Sequence, residues 1–227
     1  VTPDPHPRRW YGRYGGPAFL GVLVLALITA PFVAEVEGGE VVEPVGLTVM
    51  LVAAVGAVGD RRRPVVVAGL LAVPVLVGRW AHHARPDRVP AAVYLAGAVV
   101  FAGYVVAHHV RFVMRTRRVD VNALCAGVTG YLMLGLLWTF AYLLVGAAVP
   151  GSFAVGPDRR DLTGTEAAYL SFMTLSTVGY GDIVPASRPA RTLAVLEATT
   201  GLFYVAVLIA RLVALYSAET ARGDRPP

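Results

Sequence analysis

The chain has 227 residues, 56% of them hydrophobic and 15% charged, and a mean hydropathy of +0.61, a balance that excludes an ordinary soluble domain and points to lipid. Its net charge of +5 comes from twenty Arg and no Lys. Because these Arg lie between apolar runs they read as topology signals, and no nucleic-acid partner is expected.

A helix needs about 20 mainly apolar residues to cross the hydrocarbon core. Six stretches are predicted to do so: 17–36, 41–59, 64–80, 89–113, 121–149 and 189–216. Arg8, Arg9 and Arg13 ahead of the first resemble a secretory leader, but further spans follow and no small-residue cleavage site is evident, so the stretch is kept as a helix. Counting Arg in alternate loops with the N-terminus inside places thirteen of the twenty on the cytoplasmic side, and the acidic loop at 35–43 falls outside. Arg79, Arg85 and Arg88 run against this count. The expectation is an all-α, multi-pass protein of the cell membrane with both termini cytoplasmic.

The first four helices, 17–114, follow a cytoplasmic segment at 1–16. Residues 91–108 of the fourth contain no Arg, whereas a voltage sensor needs Arg repeated through the apolar span. Arg111, Arg115 and Arg118 share a face at its cytoplasmic end and read as a retention patch. His82-His83 and His108-His109 raise an alternative, a haem- or metal-binding redox protein, but the two pairs are expected at opposite membrane faces, about 30 Å apart. Cys125 reads as an apolar filler; as the one cysteine it excludes an intrachain disulfide framework, and no Cys-His set has zinc spacing.

A polar joint at 115–120 leads into the second half, 121–216, and a tail at 217–227 too short for a folded domain. Within this half, 165–176 is too short to span and is predicted to be a re-entrant helix. Thr163 and Glu166 fit a capping box at its start. Its C-terminal end would favour a cation in the water beneath. Its last three residues and those that follow read Thr174-Leu175-Ser176-Thr177-Val178-Gly179-Tyr180-Gly181-Asp182.

This segment resembles the selectivity filter of the potassium channel family, in which rings of backbone carbonyls replace the hydration shell of the ion. The resemblance covers 121–216 and rests on TVGYGD placed between a short helix and a span. It implies six transmembrane helices with a re-entrant pore helix and a selectivity-filter loop between helices five and six. It also implies a homotetramer, since one loop supplies a quarter of a ring, and K+ at the carbonyls of Thr177, Val178, Gly179 and Tyr180 plus the Thr177 hydroxyl, with Asp182 at the outer mouth. No cofactor and no catalysed reaction are implied; K+ is the permeant ion, lipid the surrounding solvent, and a weakly selective cation pore the nearest alternative.

The residues fit that chemistry. Gly179 and Gly181 supply the positive φ that lets successive carbonyls face one axis, and Val178 and Tyr180 are expected to point away and pack behind the filter. Counting from Asp182, Gly201 falls at the family's gating glycine, with close helix packing as its other reading. Leu202, Val205, Ile209 and Val213 would line the cavity and inner gate. Met173 stands where well-studied two-helix bacterial members carry a Glu that pairs with the outer Asp, and Tyr169 where a Trp is frequent, so the Tyr169 hydroxyl is expected to bond Asp182 instead. Ser176, Tyr169 and Met173 count as filter support. Glu197, well inside the last span, is expected to hydrogen-bond behind the filter, with Arg191 as one candidate partner.

Overall fold

A computed structural model describes residues 9–34, 39–58, 62–116 and 121–223. Residues 117–120 of the joint at 115–120 and 35–38 of the acidic loop at 35–43 lie outside the described residues, as do Arg8, Arg61 and Arg225 of the charge count; 39–43 open the second helix.

The described chain is mostly helical. Four helices come first: α1 (Arg9–Ala34), α2 (Gly39–Ala57), α3 (Arg62–Ala84) and α4 (Ala91–Arg115). They are followed by α5 (Val121–Ala148), β1 (Phe153–Val155), β2 (Asp158–Arg160), α6 (Gly164–Leu175), β3 (Ile183–Pro185) and α7 (Arg188–Gly223). By length and composition, four stretches among the described residues can cross a membrane: Arg62–Ala84, Ala91–Arg115, Ala123–Ala148 and Arg188–Ala214. Gly16–Ala30 and Pro44–Gly56 are shorter apolar segments within α1 and α2.

Small residues let the first four helices approach closely, as expected where lipid rather than water surrounds them. A Cβ on Gly97 would stand 3.1 Å from Val75, at the crossing of α3 and α4. One core joins Leu23 of α1, Leu51 and Ala54 of α2, Val75 of α3, Phe101 and Val105 of α4, and Met133 of α5. The four-helix unit therefore packs on the α5 of its own chain. Between α2 and α3, Trp80 donates its Nε1–H to the Thr48 hydroxyl at 3.2 Å. The Tyr104 hydroxyl of α4 donates to the Pro64 carbonyl of α3 at 3.1 Å.

The all-helical expectation is corrected by a small antiparallel sheet of order β2-β1-β3. β1 and β2 pair with Val155 opposite Asp158, leaving Gly156 and Pro157 as a two-residue loop. Gly156 has φ +57 and Pro157 cannot take a positive φ, which is the type II′ pattern. β1 pairs on its other edge with β3, Ala154 opposite Val184. A second core of Tyr142, Phe153, Leu162, Leu170 and Ile183 fastens this sheet to α5 and α6.

α7 runs as one helix to Gly223, so 217–223, expected as tail, continues the helix.

Candidate functional site

The site is built from the α6 start downward. Thr163 caps α6, accepting from the Glu166 amide at 3.3 Å, while the Glu166 carboxylate accepts from the Thr163 amide at 2.9 Å, a complete capping box. Arg160 at the end of β2 adds a fork of two bonds to Glu166, at 2.5 and 2.9 Å. The Arg160 guanidinium, helped by the Thr163 amide and hydroxyl, holds the Glu166 carboxyl down at about 2, and Glu166 raises Arg160 in turn.

α6 ends in a Schellman motif. The Val178 amide donates to the Met173 carbonyl at 2.9 Å and the Thr177 amide to the Thr174 carbonyl at 3.0 Å. The Gly179 amide also reaches the Met173 carbonyl, at 3.2 Å. Thr177 occupies the left-handed position of that motif with φ +60. Glycine is the usual occupant, and a β-branched residue there is strained. The hydroxyl that glycine lacks is what the position gains.

Beyond Thr177 the sign of φ alternates. Gly179 has φ +54 and Gly181 +82, while Val178 and Tyr180 stay negative. In a strand of uniform φ successive carbonyls point to opposite sides; alternation is the backbone pattern that allows them to share one. A Cβ at Gly179 or Gly181 would meet nothing within 4 Å, so within one chain the demand for glycine is conformational rather than steric. Val178 and Tyr180 are 51% and 74% exposed in the single chain.

At the C-terminal end of the loop, the Tyr169 hydroxyl donates to Asp182 Oδ1 at 3.1 Å, the bond expected from the resemblance. The Asp182 carbonyl accepts from the Gly156 amide at 3.2 Å, and β3 carries the chain straight into the sheet. The hairpin between α5 and α6 is thus what fixes the C-terminal exit of the loop. Ser176 closes α6 and donates its hydroxyl to the Phe172 carbonyl at 2.6 Å.

Behind the loop, Glu197 of α7 is fully buried. Its carboxyl meets the hydroxyl of Tyr142 from α5 and, at 2.5 Å, the hydroxyl of Ser171 from α6. Arg191 is not its partner: it donates to the Pro185 carbonyl at 3.2 Å. Six residues apart on a helix means about 240° of rotation, so Arg191 and Glu197 cannot share a face. Tyr142 and Ser171 were missed by sequence reasoning, being 55 and 26 residues away.

Gly201 lies against the end of α6. A Cβ there would fall 2.6 Å from the Leu175 carbonyl oxygen and 2.8 Å from Leu175 Cδ1, so close packing accounts for this glycine. Leu202, Val205, Ile209 and Val213 form one row on α7 and are exposed in the single chain, between 39% and 65%.

The histidines stay apart from this site. His82 Nδ1 lies 2.7 Å from the Val89 carbonyl, and buried His109 Nδ1 lies 2.9 Å from that of Val105. Among the described residues no three His, Cys, Asp or Glu side chains gather as a metal site.

Comparison with known proteins finds a family match in the same half of the chain. The family model described as Ion channel matches residues 131–218. The chain is 34% identical over 99 residues to the inward rectifier potassium channel Kirbac3.1 of Paramagnetospirillum magnetotacticum, covering 41% of this chain and 30% of that protein. It is 34% identical over 102 residues to two-pore potassium channel 4 of Arabidopsis thaliana, covering 41% and 34%. To Protein LctB of Bacillus caldotenax it is 35% identical over 106 residues, covering 44% of this chain and 78% of that protein. The chain thus spans about a third of the length of the first two relatives. No solved structure gives a significant match.

Proposed function

The chain belongs to the potassium channel family, and on that premise we propose that four copies surround a common axis and pass K+ selectively down its electrochemical gradient. Thr177, Val178, Gly179 and Tyr180 contribute the carbonyl rings, and the Thr177 hydroxyl the innermost oxygens. A carbonyl is a neutral dipole, so a stack of such rings replaces hydration without the tight binding a ring of carboxylates would impose.

The observation that carries this reading is the alternation of φ from Thr177 to Gly181, entered through a Schellman turn at the end of a short helix. Assembly is supported by the exposure of Val178, Tyr180 and the Leu202–Val213 row, since irregular backbone at membrane depth persists only when protein or a wet cavity covers it. In the membrane, α1 to α5 and α7 make six spans, α6 is the re-entrant pore helix, and both termini are cytoplasmic. The α1–α4 unit serves as scaffold and not as a voltage sensor, because 91–108 of α4 carries no Arg.

The test is flux from liposomes containing the purified protein. K+ is expected to leave far faster than Na+ under matched gradients. Equal permeation of the two ions would remove the selectivity and leave a general cation pore; no flux from the chain alone, restored by a partner subunit, would make it a silent subunit.

A further inference from the structure

Three oxygen–oxygen hydrogen-bond contacts run in series through the packing of α5, α6 and α7. Tyr142 Oη meets Glu197 Oε2, Glu197 Oε1 lies 2.5 Å from Ser171 Oγ, and Ser171 Oγ lies 2.7 Å from the Gly135 carbonyl oxygen. Each contact needs one proton between its oxygens. The Gly135 carbonyl has none to give, so the Ser171 proton is used there. The Tyr142 proton fills the contact with Oε2. The contact between Glu197 and Ser171 is then left without a proton unless the carboxyl brings its own. One serine proton divided between two acceptors would not hold both at these lengths.

We propose that Glu197 is kept as the neutral carboxylic acid and donates to Ser171, so that a one-way chain of hydrogen bonds from Tyr142 through Glu197 and Ser171 to Gly135 positions α6, and with it the loop that α6 carries. Glu197 is a positioning residue: it touches the pore helix and not the permeating ion. Its surroundings agree. The side chain is fully buried, and the titratable groups that face it are Tyr142 and Tyr131 of α5. α6 presents the uncharged Ser171, and on α7 itself Arg191 turns to Pro185. An ionised carboxylate here would be buried without a cation beside it.

The consequence for ion selection rests on the function proposed above; the proton count does not. The chain also distinguishes two substitutions. Glu197→Gln supplies an amide N–H for Ser171 and an oxygen for Tyr142, so it reproduces all three contacts of the neutral acid. Glu197→Ala supplies neither.

The experiment is infrared spectroscopy of the full chain in lipid at neutral pH, combined with the flux assay on both variants. Expected is a carbonyl-stretch band of an undissociated carboxylic acid that disappears in E197Q. E197Q is expected to keep K+-over-Na+ selectivity within about twofold of the parent, and E197A to lose it by about tenfold or more, as misplacement of a preorganised site implies. A spectrum in which the Glu197-dependent signal is that of a carboxylate overturns the proposal, as does an E197Q as impaired as E197A. Should the parent conduct no ions, the function fails while the infrared band still decides the proton.

Discussion

Arg211 of α7 donates through Nη2 to the backbone carbonyl of Thr116 at 2.7 Å, across 95 residues of chain. The same nitrogen reaches the Met114 carbonyl at 3.0 Å. Thr116 is the C-cap of α4, where carbonyls lack helical partners and partial negative charge accumulates, so the guanidinium closes that end of the helix. In the sequence Arg211 served only as a topology signal; in the fold it ties the four-helix unit to the C-terminal half of α7. Hydrogen bonds from a charged donor contribute about 1.5–3 kcal/mol. Arg211→Ala is expected to lower the thermal stability of the detergent-solubilised protein and to change the open probability in single-channel recordings. Unchanged gating in Arg211→Ala would mean that the link carries no mechanical coupling.

Gly201→Ala places a methyl group 2.6 Å from the Leu175 carbonyl oxygen, which is backbone and cannot rotate away. Overpacking of this kind costs about 1–3 kcal/mol. The variant is expected to melt earlier and to lose selectivity, because the displaced group is the last residue of α6. If selectivity and melting were unchanged while only the rate of opening changed, Gly201 would be a hinge and not a packing residue.

Thr177 sets conformation against chemistry. Its φ of +60 costs a β-branched residue about 1–2 kcal/mol that glycine does not incur. Thr177→Gly is therefore expected to raise the melting temperature slightly and to weaken K+ selectivity, since the hydroxyl oxygen is gone. Thr177→Ser keeps that oxygen and is expected to retain most of the selectivity. Liposome flux ratios beside melting curves separate the two effects; a fully selective Thr177→Gly would show the hydroxyl to be dispensable.

The Arg160–Glu166 fork predicts an acid limb. The Glu166 carboxyl sits at about 2 in the fold, below its ordinary 4.5, because Arg160 and Thr163 bond its charged form. A depressed carboxyl stabilises the fold fully above 4.5, and this contribution is lost as pH falls through about 2. Melting temperature should drop across that window in the parent and drop less in Glu166→Gln. The pair is partly solvent-exposed, with side chains 43% and 25% accessible, so the effect should be modest and shrink with salt. An acid limb of equal slope in both proteins would contradict it.

The helices were legible because an apolar run of spanning length has few alternatives, and the capping box because its two partners are three residues apart. The Tyr169–Asp182 bond was anticipated from the resemblance, because Tyr169 stands where the family frequently has a Trp and its hydroxyl can reach Asp182. The sheet could not be anticipated from alternation: its strands are three residues long and Asp158, Arg159 and Arg160 are all exposed. Gly156-Pro157 between short runs was the available signal. The left-handed Thr177 was hidden because residue type argues against it. The partners of Glu197 were hidden because they come from two other helices, and a choice made along one helix, Arg191, lay on the wrong face.

Ion selection by this protein is proposed to rest on main-chain oxygens of four chains. Its most direct test is an experimental structure of the lipid-embedded protein with thallium in place of K+, read by anomalous scattering. Expected is a tetramer with a column of ion density on its axis at the levels of Thr177, Val178, Gly179 and Tyr180, absent when Na+ replaces thallium. Single protomers, or density confined to Asp182 with none along the carbonyls, would contradict it.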